Sequence, residues 1–126
     1  MSLDLLGDRW TLVVMRDILF GLRHSFSEIG ADEGIATNVL TERLERLVDA
    51  DILRRFPHPE DGRRRIYLPT DKGIALIPVL LELVVWGTDH TSSEVLSDLV
   101  AAIRADREGV IAKFTARARE KIGGMG

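Results

Sequence analysis

Three features of this 126-residue chain predict a mainly α fold with a small β-hairpin. Leu40, Leu44, Leu47 and Val48 recur at i, i+4, i+7 and i+8, the spacing of one buried helical face, while Thr37, Asn38, Thr41, Glu42 and Glu45 fall largely off it. Two short apolar runs follow, separated by Pro57, Pro59 and the turn residues Glu60-Asp61-Gly62, and read as paired strands. Thr70 or Asp71 then caps a further helix. Helix, hairpin and capped helix in that order outline a winged helix-turn-helix, here with helical elements at both ends.

Each element has its own sequence signal. Residues 4–20 form an apolar first helix with Leu5, Leu6, Trp10, Val13, Val14, Ile18 and Leu19 on a broad stripe, Asp8 near its start and Gly21 as its stop. Ser25 caps a short second helix, with Glu28 completing a capping box and Gly34 ending it. The third helix begins at Thr37 and runs out near Asp51. Residues 52–56 are the first strand, which Pro57 and Pro59 prevent from continuing, and residues 65–68 are the return strand.

From Ile74 to Trp86 the next helix is apolar almost all round, through Leu76, Ile77, Val79, Leu80, Leu81, Leu83, Val84 and Val85. One core cannot use every side, so part of this helix is expected to meet another helix or a second subunit. A helix restarts at Glu94 with Val95, Leu99, Ala102 and Ile103 on a stripe, and residues 106–121 form a charged, weakly amphipathic helix with a frayed, glycine-rich end. The expected organisation is a winged helix-turn-helix over residues 1–90 and a helical extension over residues 91–126. The opening Met1-Ser2-Leu3 reads as a cloning remnant on a trimmed N-terminus.

Composition narrows the function classes. The net charge of -3 and pI near 5.6 run against the usual basic balance of nucleic-acid binders. The positive charge is nevertheless focused: residues 52–70 hold Arg54, Arg55, Arg63, Arg64 and Arg65 against only Glu60 and Asp61. With no cysteine and three scattered histidines, no disulfide, thiolate site, metal or cofactor is expected. No apolar run reaches about 18 uncharged residues and no secretory signal is visible, so the expected location is the cytoplasm. No nucleophile elbow, phosphate-binding glycine loop or paired metal-ligand motif points to catalysis.

What remains points to duplex DNA. Small and amide side chains near a helix N-terminus reach base edges and phosphates, and Thr37, Asn38 and Thr41 meet that need. Arg43 could reach a phosphate or pair with a nearby carboxylate, and Arg46 reads as structural. Three consecutive arginines after Asp61-Gly62 repel one another unless an anion relieves them, and a phosphate backbone or a narrow minor groove does so; Asp61 can orient Arg63. Trp10 and Trp86 sit on apolar helices and read as core or interface.

These residues resemble a known family. Gly7-Asp8-Arg9-Trp10-Thr11, the run from Leu12 to Gly21, Phe26-Ser27-Glu28-Ile29 and the run from Gly34 to Leu44 are similar to the opening and recognition-helix signature of the HxlR-type winged-helix transcriptional regulators. Tyr67, Thr70-Asp71-Lys72-Gly73, Pro78-Val79-Leu80 and Trp86-Gly87 resemble that family's wing exit and following helix, so the likeness covers roughly residues 5–90. The Asp61-Gly62-Arg63-Arg64 turn also resembles the wing of the related MarR-type regulators.

The resemblance implies a bacterial, homodimeric regulator binding an approximately palindromic operator. Carried over by position, the recognition helix is Thr37–Asp49 with Thr37, Asn38, Thr41, Glu42 and Arg43 at the DNA. The wing is residues 54–65, contributing Arg54, Arg55, Arg63, Arg64 and Arg65. Dimerisation would use the first and C-terminal helices, through Leu5, Leu6, Trp10, Val84, Trp86, Val95, Leu99 and Ile103. Many members sense electrophiles or oxidants through a cysteine before the first helix; this chain has none, and nothing polar marks a site for a small-molecule effector. The alternative class is a winged-helix protein-interaction module that has lost DNA binding.

Overall fold

The computed structural model describes residues 7–90 and 97–124. Its elements in chain order are α1 (Arg9–Leu19), a 3₁₀ turn (Ala31–Glu33), α2 (Thr37–Asp49), β1 (Leu53–Pro57), β2 (Arg65–Pro69), α3 (Asp71–Ile74), α4 (Ile77–His90), α5 (Ser97–Ala105) and α6 (Arg107–Gly123). The mainly α architecture with one two-stranded antiparallel hairpin is the one the sequence predicts. Leu5, Leu6, Val95 and the expected helix starts at residues 4 and 94 lie outside the described residues.

α1 is capped by Asp8, whose Oδ1 accepts the backbone N–H of Trp10 at 2.7 Å and of Thr11 at 3.4 Å. It buries Val13, Val14, Met15, Ile18 and Leu19 and ends one residue earlier than expected, with Phe20 as its C-cap. The left-handed residue after it is Leu22, at φ 54°, not Gly21.

The expected second helix does not form as one piece. Only half of the Ser25–Glu28 box forms: Glu28 Oε1 accepts the Ser25 N–H at 3.3 Å and the Ser25 hydroxyl at 2.7 Å, while the Glu28 N–H donates to the Ser25 carbonyl at 3.0 Å and not to the hydroxyl. Gly30, however, sits at φ 71°, which ends the right-handed run and leaves one 3₁₀ turn before Gly34 at φ 68°. The buried Asp17 holds this bend, accepting the Gly30 N–H on Oδ2 at 2.8 Å.

α2 buries Leu40, Leu44 and Leu47 and ends where Asp51 turns left-handed at φ 61°. In the hairpin Leu53 pairs with Pro69, Arg54 with Leu68, Arg55 with Tyr67, Phe56 with Ile66 and Pro57 with Arg65. Pro57 therefore closes the strand instead of stopping short of it. The His58 N–H donates to the Arg64 carbonyl at 3.0 Å, so Pro57 occupies a position whose N–H would point away from β2, and its missing donor costs nothing there. On its other edge β2 meets Ser25 through a bridge at Ile66, with Tyr67 N–H donating to the His24 carbonyl at 2.8 Å.

The long apolar helix expected after the hairpin is two helices. Thr70 caps α3, accepting the Gly73 N–H at 3.2 Å while its own hydroxyl donates to the Asp51 carbonyl at 2.6 Å. α4 then restarts at Ile77, with Pro78 at a first-turn position that needs no N–H.

The C-terminal helices fold onto the rest. Ile103, Phe114 and Ala118 belong to the same buried cluster as Val14, Leu44, Leu53 and Leu81. Phe114 meets Phe20 edge-on with ring centroids 4.8 Å apart. α5 and α6 thus contribute Ile103, Phe114 and Ala118 to the core that the winged region shares.

Candidate nucleic-acid interface

The first turn of α2 follows from its cap. Ala36 supplies no side-chain acceptor, so no side chain occupies the N–H groups that open the helix. Such a terminus favours an anion through its free donors and the helix dipole. Thr37, Asn38, Thr41 and Glu42 are all exposed on this end, and the Thr41 hydroxyl donates to the Thr37 carbonyl at 2.9 Å.

Glu42 would oppose a phosphate, but its charge is compensated. It is clamped between Arg43 Nη1 and Arg46 Nη2, the latter at 2.6 Å. The Arg43 contact above all holds the Glu42 carboxyl below its ordinary range, against an opposing effect of desolvation that outweighs the further help from Arg46. Of the two roles open to Arg43, the structure shows carboxylate pairing. Its Nε donates to Asp8 Oδ2 at 2.9 Å and its Nη2 lies 2.6 Å from the same oxygen. Asp8 therefore caps α1 with one oxygen and grips α2 with the other, and the Arg43 guanidinium keeps its carboxyl below the usual carboxylate range. This pairing spans 35 residues and carries no local sequence signal.

The wing tip is built by Asp61. Its Oδ1 accepts the Arg63 N–H at 3.1 Å and lies 3.6 Å from Arg63 Nε, and its carbonyl accepts the Arg64 N–H at 3.0 Å. Arg63, Arg64 and Arg65 are exposed, Arg63 with 96% of its side chain in solvent. They line one cleft with Phe26, Ser27 and Tyr67. Ser27 Oγ accepts from Arg64 Nη2 at 3.4 Å and joins the turn after α1 to the wing. The sequence reading passes over Ser27 because its signal, an exposed hydroxyl two residues from a β-bridge, exists only once the strands are paired.

Strand alternation separates the two remaining wing arginines. Arg55 lies opposite Tyr67 and shares the face that carries Arg65, whereas Arg54 shares the reverse face with Phe56, Ile66 and Leu68. There it lines a cleft with Pro69, Thr70 and Asp71 and with Arg119, Ile122 and Gly123 of α6. Arg63, Arg64 and Arg65 line one cleft and Arg55 shares the face of Arg65, whereas Arg54 lies on the reverse face.

The residues expected at a dimer interface are dispersed. Val84 lines an apolar groove of about 340 Å³ between α1 and α4, with Arg9, Leu12, Val13, Arg16, Phe20, Leu80 and Leu83. Trp86 is 60% exposed and continues a stripe with Val79 and Leu83, its ring stacked on His90 at 4.9 Å. Trp10 is half-buried beneath the Arg9 guanidinium, and Leu99 is half-buried against the core. Ile103 is 1% exposed inside the chain's own core, where it has no surface to offer a partner.

Among the described residues no group of three or more histidines, cysteines or carboxylates is arranged to hold a metal, and no helix is long and apolar enough to cross a membrane.

This geometry has counterparts among known proteins. A family model described as HxlR-like helix-turn-helix matches residues 5–95. An uncharacterized HTH-type transcriptional regulator of Mycobacterium bovis is 34% identical over 89 residues, covering 71% of this chain and 56% of the relative, so the chain spans little more than half that protein's length. The structure of PA1607, a candidate transcription factor, superposes with a TM-score of 0.67 at 35% identity, covering 75% of this chain and 65% of the other. The reduced form of the transcriptional regulator YodB from B. subtilis superposes with a TM-score of 0.58 at 30% identity, covering 71% and 87%.

Proposed function

Because the chain belongs to the HxlR-like helix-turn-helix family, whose relatives are named as transcriptional regulators, we propose that it binds duplex DNA sequence-specifically as a homodimer. The uncapped, exposed start of α2 enters the major groove, with Asn38 reading an adenine edge and Thr37 and Thr41 meeting phosphate or a thymine methyl. Arg55, Arg63, Arg64 and Arg65 track the adjacent backbone or minor groove. Arg43 positions the helix through Asp8 instead of touching DNA. A two-fold dimer formed across the α1–α4 groove and the Val79–Leu83–Trp86 stripe presents two such units, so half-sites lie about 34–36 Å apart on an approximate palindrome.

The observation that carries this reading is the neutralised Glu42 beside an uncapped helix start, combined with an exposed arginine tip in a chain of net charge -3. Arginines are thereby gathered where a duplex would lie. The test is selection of bound fragments from a random duplex pool with the full chain. Recovery of a two-fold motif with that spacing supports the proposal; recovery of no motif, with no salt-dependent retention on genomic DNA, favours the protein-interaction alternative, to which the acidic total charge also points.

A further inference from the structure

Two hydroxyl groups open onto the arginine cleft at the root of the wing, and the fold does not need either of them there. Arg63, Arg64 and Arg65 line this cleft of about 360 Å³ with Phe26, Ser27 and Tyr67, and no carboxylate lines it among the described residues. The neighbouring acids are engaged elsewhere. Asp61 Oδ1 accepts the Arg63 N–H and lies 3.6 Å from Arg63 Nε, where it builds the tip. Glu28 Oε1 accepts from Ser25, and Glu28 and Glu60 both line a cleft with Ile66 on the reverse face of the hairpin. With Asp61 counted at the rim, three cations face one carboxylate, so the cleft is net positive.

Tyr67 supplies a fixed donor. It pairs with Arg55 across the hairpin, its N–H donates to the His24 carbonyl at 2.8 Å, and the residue is only 7% exposed. Its hydroxyl makes no hydrogen bond among the described residues. The one buried polar side-chain atom left without a partner among those residues is Thr11 Oγ1, so the Tyr67 hydroxyl reaches solvent, at the cleft that Tyr67 lines. A ring already held by packing loses little freedom when its hydroxyl binds. Ser27 supplies a second donor. The single Ser25 hydroxyl proton goes to Glu28 Oε1 at 2.7 Å, so in the 3.3 Å contact between Ser25 and Ser27 it is Ser27 that donates. That bond is long, and a charged acceptor outcompetes it.

We propose that this cleft seats one backbone phosphate of the bound duplex, with Tyr67 Oη and Ser27 Oγ donating to its oxygens and the three arginines neutralising its charge. Two hydroxyl donors among cations suit a phosphodiester, whose charged oxygens only accept. Arg63, with 96% of its side chain in solvent, can follow a phosphate over many positions, whereas the held Tyr67 hydroxyl admits it at one. Tyr67 therefore sets the register of the wing on the backbone and reads no base.

The phosphate seat rests on the DNA-binding reading above, and the experiment separates the two. The full chain is titrated with its selected operator carrying a single uncharged methylphosphonate at each backbone position in turn. Tyr67→Phe is expected to keep the wild-type melting temperature, because the hydroxyl has no partner in the free protein, and to lose about tenfold in affinity on the unmodified operator. Its salt slope and base preference are expected to stay unchanged, since no charge is removed. Ser27→Ala, which must first give up its Ser25 contact to bind, is expected to lose about fivefold. At one backbone position in each half-site the methylphosphonate weakens the wild type but adds little to the loss in Tyr67→Phe or Ser27→Ala; at every other position the losses add. Ser27→Ala, at an exposed site, reports the same coupling should Tyr67→Phe fail to fold. A Tyr67→Phe protein that folds and binds as tightly as the wild type, a lowered salt slope, or losses that add at every position overturns the proposal and leaves the regulator reading intact; a wild type that binds no duplex overturns both.

Discussion

Asn38 and Arg64 separate reading from holding. Asn38 stands exposed on the opening turn of α2, where an amide can bond an adenine edge in two places. Asn38→Ala is expected to weaken operator binding by about 1–3 kcal/mol and to relax preference at one base position, measured by titration against a panel of single-base variants. Arg64 would offer a phosphate charge and N–H donors but read no base, so Arg64→Ala is expected to weaken all duplexes alike and to lower the salt slope by about one contact. Similar losses from both changes on operator and random DNA would end this division. His24 gives a prediction about acid. Its ring is buried, and burial first, then the Lys121 charge, pushes its pKa below the ordinary 6.5, against the smaller opposing effects of a hydrogen bond with the Ile18 backbone and the Glu28 charge. The unfolded chain takes up that proton at a higher pH than the folded one, so stability is full above about pH 6.5 and declines as pH falls below it. His24→Gln is expected to flatten the denaturation midpoint through that window.

Among the elements, those governed by local chemistry were legible in advance. The 3.6-residue repeat of Leu40, Leu44 and Leu47 defines α2, and Asp61-Gly62 between apolar runs defines the hairpin. A capping box marks a helix start without guaranteeing its length, and the expected second helix is cut short at Gly30, which Asp17, thirteen positions earlier, holds left-handed. A Cβ there would also collide with Ile35, so Gly30→Ala is expected to destabilise the fold by about 1–3 kcal/mol in urea titrations. The side of the sheet that Arg54 takes was legible from two-residue alternation, but which side faces α6 depends on the docking of a helix more than fifty residues away. The break between α3 and α4 follows from Pro78, whose missing N–H cannot bond the carbonyl of Ile74.

At the scale of the whole molecule, the core and the surface assign different tasks to the apolar residues. Ile103 and Phe114 complete the monomer, while Val79, Leu83 and Trp86 are left outside it. Truncation after Ala105 would uncover Phe20 and the reverse face of the hairpin, and is expected to lower the melting temperature well beyond the effect of losing an exposed tail. Leu83 is 47% exposed at the α1–α4 groove, so Leu83→Glu is expected to leave the monomer folded while halving the mass seen by sedimentation and abolishing tight operator binding. A variant that stays dimeric would move the interface elsewhere. This partition was not legible in the sequence, because an all-apolar helix and two amphipathic ones give no pairing order; only tertiary packing decides which stripes are spent internally.

The shared carboxylate of Asp8 couples these scales mechanically. Its two oxygens bolt the first turn of α1 to the flank of α2. α1 also walls the groove proposed for the second subunit, so a displacement of that wall would have to carry Arg43 with it or break the Asp8 contact. Asp8 thus adds a polar tie between the two helices to the apolar packing of Val14 and Ile18 with Leu40, Leu44 and Leu47.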